Sequence, residues 1–261
     1  MTSYKMKKRI KKNIREILCT KINKYYNNRI QGYDSQMETN IIKMMGPADA
    51  ASLLNAVSGM LAIIAAYYQQ PIYTALLLLL AVFFDAIDGP LARRFPTSTK
   101  DIFGETMDSL ADVISFGIAP AMIIFELYQQ PIMIIASLLL LCCGILRLSR
   151  YNTIITEQEG PTTTFIGLPI PVSSFMLSLM LLSHLQNHYI VLLMMTIIAL
   201  LMVSSFKYPK IKNKSLLGVC AVLLIPTVLY PINNSLMNVP SLTLILFVII
   251  YMILPIIDID I

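Results

Sequence analysis

The chain has 261 residues, 56% of them hydrophobic and 13% charged, with a mean hydropathy of +0.69. A soluble domain carries about a quarter charged residues, so this composition excludes a soluble enzyme and describes an integral membrane protein. The net charge of +5 gathers near the N-terminus and makes no case for nucleic acid, because Lys and Arg beside apolar segments report topology and anionic headgroups.

Residues 4–25, "YKMKKRIKKNIREILCTKINKY", place Ile10, Ile14, Ile17, Leu18 and Ile22 on one helical stripe, with Lys and Arg on the other face. That pattern predicts an amphipathic helix lying on an anionic membrane surface. No short apolar core with a small-residue cleavage site follows, so no signal peptide is expected. Residues 26–40 form a polar linker.

A membrane helix needs about 20 mostly apolar residues. Candidate spans lie near 50–68, 71–92, 105–127, 131–150, 170–186, 189–206, 216–231 and 241–257. The loops after the first, third, fifth and seventh spans carry no Lys or Arg. The others hold Arg93, Arg94 and Lys100, then Arg147 and Arg150, then Lys207, Lys210, Lys212 and Lys214. This alternation predicts both termini in the cytoplasm. The four cysteines lack metal-ligand spacing and read as small hydrophobes. His184 and His188 fall on the outer side as interface residues. Asn233 opens a glycosylation triplet of little weight.

Four aspartates flank the second and third spans: Asp85 and Asp88, then Asp108 and Asp112. Acids inside membrane segments are expensive and are expected to be paired or metal-bound. Residues three or four apart share a helix face, so each pair points together, separated by about 4.5 and 6 Å along its axis. The short loop between the spans predicts that they run antiparallel, side by side, with the pairs at one depth. Four converging carboxylates need cations, and oxygen-only ligation suits one or two hard divalent ions, Mg²⁺ or Mn²⁺. Gly89 and Gly104 leave backbone open to a bulky ligand. Arg93 offers a fork for phosphate oxygens. Pro90 is expected to kink or open its helix. Together these residues predict a clamp on a diphosphate at the cytoplasmic boundary.

The stretch "DAIDGPLAR", a spacer, then "GETMDSLAD" resembles the CDP-alcohol phosphatidyltransferase signature, D-x-x-D-G-x-x-A-R followed by G-x-x-x-D-x-x-x-D. The matching positions are Asp85, Asp88, Gly89, Ala92, Arg93, Gly104, Asp108 and Asp112. Ten residues separate Arg93 from Gly104, a longer spacer than is usual. "FGETMDSLADVISFGIAPA", "LRLSRYN", "FIGLPIPVSS" and "FKYPK" resemble the CDP-diacylglycerol–serine O-phosphatidyltransferase branch, including archaetidylserine synthases. The apolar stretches predict an all-α polytopic bundle; the resemblance covers a six-span catalytic core over 47–210, with the basic extension over 1–46 and two further spans over 211–261 lying outside it. It implies a homodimer that takes CDP-diacylglycerol or CDP-archaeol and L-serine and releases CMP. It also implies that Asp85, Asp88 and Asp108 bind metal, that Asp112 is the general base and can serve as a ligand, and that Gly89, Ala92 and Gly104 line the nucleotide pocket.

Further candidates carry two readings each. Asp49 and Ser52, with Asn55, spread along one side of the first span. Asp49 caps the helix start or touches nucleotide or metal. Asn55 touches nucleotide or forms an interhelix hydrogen bond. Arg147 or Arg150 binds the carboxylate of serine, or simply follows the positive-inside rule; Lys207 is a weaker candidate. Ser115 touches substrate or satisfies its own helix. Thr162, Thr163 and Thr164 belong to a loop that closes over the site. Glycerol 3-phosphate or inositol phosphate as acceptor, and divalent-cation transport, are the competing functions. The absence of acids in the outer halves of the spans speaks against transport.

Overall fold

A computed structural model of the chain describes residues 40–95, 102–157, 164–183, 185–209, 214–229 and 239–257. The expected amphipathic helix over 4–25, the linker, Lys100, Thr162, Thr163, His184 and Asn233 lie outside the described residues. The chain forms two compact units, one ending at Met44 and one from Met45 onward. Within the first, the helical turn Ile41–Met44 has the Ile42 N–H donating to Asn40 Oδ1 at 3.1 Å.

The second unit is built from helices α1 (Pro47–Tyr67), α2 (Pro71–Arg94), α3 (Ile102–Tyr128), α4 (Pro131–Glu157), α5 (Pro171–Leu182), α6 (His188–Val203), α7 (Lys214–Leu229) and α8 (Val239–Ile257). Four of these open on proline, whose missing N–H and fixed φ suit the first helical position. The repeated "YQQP" turns after α1 and α3 place Gln69 and Gln129 in the left-handed region, at φ 56° and 49°, which closes each helix before the proline restarts the next.

Among the described residues, each expected span overlaps one of these helices. Among the described residues, the first four are long and apolar enough to cross a membrane. Helices α5 and α6 and the stretch Val239–Pro255 are apolar but shorter. At 12 residues, α5 rises only about 18 Å, against the roughly 30 Å of a hydrocarbon core. Almost all of α5 is buried. Together with Phe116 of α3, Leu140 of α4 and Met195 and Met202 of α6, it forms the centre of the hydrophobic core.

Two departures from the sequence reading shape the site. First, α2 and α3 meet through their acid side chains and not through close backbone packing. Helix α1 packs extensively along α2 and also along α3, while α2 and α3 share almost no backbone contact. Second, α3 is not one regular helix. It is α-helical over Ile102–Asp112, π-helical over Val113–Ile118 and α-helical again over Ala119–Tyr128. The Ala119 N–H donates to Ile114 O, a step of five residues. By contrast, α2 continues as helix through Pro90 to Arg94.

Two three-residue strands, unforeseen in the all-α reading, pair antiparallel: β1 (Thr164–Ile166) and β2 (Lys207–Pro209). Phe165 stands opposite Tyr208, and Ile166 opposite Lys207. Tyr208 is fully buried, and its hydroxyl donates to Met252 O at 3.2 Å, fastening β2 to α8.

Candidate active site

The acids converge at the end of α2 and the start of α3. One carboxylate oxygen each from Asp85, Asp108 and Asp112 lies within 4.8 Å of the others. Asp88 faces Asp108 across the same gap. Two carboxylates about 4 Å apart repel by about 4 kcal/mol at an effective dielectric of 20, so the cluster is a poor structure without a cation. Oδ1 of Asp108 is buried with no hydrogen-bond partner. An all-oxygen donor set with an orphaned buried acceptor fits a hard divalent ion.

Helix α1 supplies the inner wall. Its start is fixed by Asp49, whose Oδ2 accepts from the Gly46 N–H at 2.7 Å; the capping reading of Asp49 is what the geometry displays. The Ser52 hydroxyl lies 3.3 Å from both Asp88 Oδ2 and its own helix's Ala48 O. Asn55 is completely buried, and its Nδ2 donates to Asp112 Oδ1 at 3.4 Å, an interhelix hydrogen bond. Thus α1 touches an acid of α2 and an acid of α3 within one turn of its own length.

The π segment begins directly after Asp112. A π turn breaks the ordinary ladder and leaves carbonyls to be satisfied elsewhere. Here the hydroxyl of Ser174 donates to Ser115 O and that of Ser173 to Phe116 O, each at 2.6 Å. Ser115 donates to Asn55 O on α1 at 2.8 Å. Its hydroxyl thus bonds across to α1 and not within its own helix. The two helices meet so closely here that a Cβ on Gly59 would sit 2.7 Å from Ser115 Cα.

A family model for CDP-alcohol phosphatidyltransferases matches residues 45–256. The chain belongs to that family. The matched region extends to helix α8, beyond the 47–210 stretch whose motifs carried the resemblance. This CDP-alcohol phosphatidyltransferase is 41% identical over 167 residues to an archaetidylserine synthase of Methanothermobacter thermautotrophicus, covering 62% of this chain and 69% of that protein. It is 36% identical over 183 residues to a CDP-diacylglycerol–serine O-phosphatidyltransferase of Methanocaldococcus jannaschii, covering 70% and 83% respectively. A protein of the same name from Bacillus subtilis is 34% identical over 162 residues, 61% of this chain and 87% of its own length.

The remaining signature positions divide by surroundings. A Cβ on Gly89 would meet only Arg93 Nη1, at 3.6 Å, so that face of α2 is open. Ala92 and Arg93 are exposed beside it. Gly104 instead lies against Asp49, where a Cβ would stand 3.0 Å from Oδ1. Its small size serves the packing of α3 on the start of α1.

Among the acceptor candidates, Arg147 is buried on α4, within electrostatic reach of Asp112 and Asp85. Arg150 donates to four carbonyls: Nη1 to Val203 and Ser204, Nη2 to Ile166 and Met202, at 2.9–3.2 Å. It fastens β1 to the end of α6. Lys207 is exposed on β2. His188 stacks on its neighbour Tyr189 at the start of α6, with ring centroids 3.9 Å apart. Sequence reasoning missed Gly59, Ser173, Ser174, Tyr151 and Phe165. The run "PIPVSS" was visible, but its hydroxyls gain meaning only from a π turn that no periodicity announced.

Proposed function

We propose that this chain transfers a phosphatidyl or archaetidyl group from a CDP-activated lipid to the hydroxyl of L-serine, releasing CMP. The observation that carries the reading is the convergence of Asp85, Asp108 and Asp112 within 4.8 Å, on helices of a membrane protein. The names of its relatives favour serine as acceptor.

In this reading Asp85, Asp88 and Asp108 hold two divalent ions, Mg²⁺ or Mn²⁺, with Asp112 able to join them. When bound, the ions neutralise diphosphate oxygens and ease departure of CMP. Asp112 accepts the serine hydroxyl proton on the oxygen that Asn55 leaves free. The serine oxygen forms its bond to the phosphorus carrying the lipid as the bond from that phosphorus to CMP breaks. Ser52 steadies Asp88. The open face at Gly89, with Ala92 and Arg93, receives the nucleotide diphosphate, and Arg93 supplies charge at the rim. The site and both termini face the cytoplasm, and the enzyme works as a homodimer.

The test is CMP release by purified protein with a CDP-lipid and Mg²⁺ or Mn²⁺. Release that depends on serine is expected. Release that instead requires glycerol 3-phosphate or inositol phosphate would keep the chemistry and overturn the acceptor.

A further inference from the structure

Resting on the serine-transfer reading, we infer that Arg147 is the receptor for the α-carboxylate of the acceptor, with Phe165 and Tyr151 as the residues that position it. The side chain of Arg147 is only 5% exposed. Its Nε is sealed from solvent with no hydrogen-bond partner. Burying a guanidinium with its Nε–H idle is unfavourable, and such a group calls for an acceptor that arrives later.

Its present partners are aromatic. The guanidinium carbon lies 5.3 Å from the ring centroid of Tyr151 and 5.8 Å from that of Phe165. The two rings are 6.1 Å from each other. These three distances make a nearly equilateral triangle, so both rings flank the cation from one side. Ring faces attract a cation without consuming its in-plane N–H donors. The planar fork is held in place with its Nε–H unmatched, and a carboxylate fits such a fork with two parallel hydrogen bonds. The nearby acids are poor candidates for that role, because in the proposed reaction their oxygens serve metal and proton. Asp112 remains within electrostatic reach. A serine whose carboxylate sits on Arg147 therefore has its hydroxyl, three bonds away, beside the acid that takes its proton.

The second arginine of "LRLSR" explains how Phe165 stays there. Arg150 grips Ile166 O, next to Phe165, and the carbonyls that end α6. Gly167 follows with φ +77°, and any Cβ there would run into Met202 O and Arg150 Nη2. Only glycine lets the strand come this close to its fastening.

The experiment uses the full chain in detergent, with serine or ethanolamine as acceptor at saturating CDP-lipid. Ethanolamine is serine without its carboxylate. Serine-dependent CMP release by the unaltered enzyme is established first; its failure would strike the serine reading and not the fork. Arg147→Lys keeps the charge and loses the fork. It should raise the KM for serine by on the order of tenfold to a hundredfold, with CDP binding unchanged and the preference for serine over ethanolamine lowered by a similar factor. Phe165→Leu should shift the same ratio in the same direction by a smaller factor, and it decides the matter if the arginine variant does not fold. An unaltered ratio in the folded variants, or an equal loss with both acceptors, would overturn the inference and reduce Arg147 to a counter-charge.

Discussion

Asn55 and Asp112 define the chemistry at the scale of single atoms. The amide of Asn55 holds one carboxylate oxygen of Asp112 from α1, and in the proposed reaction Asp112 is the proton acceptor. Replacing Asp112 with Asn keeps the shape and removes the basicity. Turnover in Asp112→Asn should fall by about 10²–10⁴-fold, while CDP binding, measured by calorimetry, persists. Near-normal turnover would remove Asp112 from the role of base. Ser52→Ala should be far milder, a few-fold in kcat/KM, since it withdraws one hydrogen bond of about 1 kcal/mol from Asp88. The acids themselves were legible in the sequence, because four carboxylates at helical spacing beside apolar runs repel one another unless a cation joins them. Asp49, Ser52 and Asn55 were legible as a row but not as to partners. Their meaning depends on which helix lies opposite, and spacing along one chain does not say that. Arg147 and Arg150 were indistinguishable as neighbours in one motif. The structure separates them, because one meets four carbonyls and the other two rings.

At the scale of elements, the π segment of α3 and the hydroxyls of α5 form one device. Six residues of wide helix shift the face presented by everything beyond Asp112. Two of the carbonyls there accept from the hydroxyls of Ser173 and Ser174, which stand opposite. Removing both hydroxyls should leave two buried acceptors unpaired, at about 1–3 kcal/mol each. Thermal unfolding of Ser173→Ala/Ser174→Ala in detergent should therefore begin several degrees lower; an unchanged midpoint would show that the carbonyls find other partners. Gly59 is the other half of the same crossing. A methyl group there meets the Ser115 backbone itself, not the end of a flexible chain. Gly59→Ala should cost about 1–3 kcal/mol and weaken turnover by moving Asp112, and a variant as stable and active as the parent would refute the close approach. None of this could be read from the sequence. "DVISFGIAP" has the composition of any apolar helix, and a π turn leaves no period of its own. The short α5 was overestimated as well. The expected span ran on to residue 186 through Ser183, His184 and Gln186, polar residues beyond Leu182 where the helix ends.

For the whole molecule, the arrangement of α1 between the two acid-bearing helices is decisive. It means that the cluster is held together by packing on a third element, against its own repulsion. A bound divalent ion should then stabilise the entire bundle. At a hundred times its dissociation constant, Mg²⁺ or Mn²⁺ contributes about 2.7 kcal/mol, so the unfolding midpoint should rise on titration with either ion and fall again with a chelator. Asp108→Asn should blunt that rise, and an ion response unchanged in that variant would place the metal elsewhere. The helical character and the order of the helices were plain from hydropathy. The antiparallel course of α2 and α3 was inferred from the shortness of their connection, and the acids meet in that order, Asp85 beside Asp112 and Asp88 beside Asp108; what the sequence did not show is that α1 carries most of the backbone packing of both helices.

The packing of α1 on both helices makes sense of the lengthened spacer after Arg93. Because α1 bonds Asp88 through Ser52 and Asp112 through Asn55, the connection from Arg94 to Ile102 need not act as a ruler. Its length can drift over generations without detuning the chemistry. The polypeptide should even tolerate a cut there: a fragment ending after α2 and another beginning before α3, made in one cell, should find each other through α1 and restore a working centre.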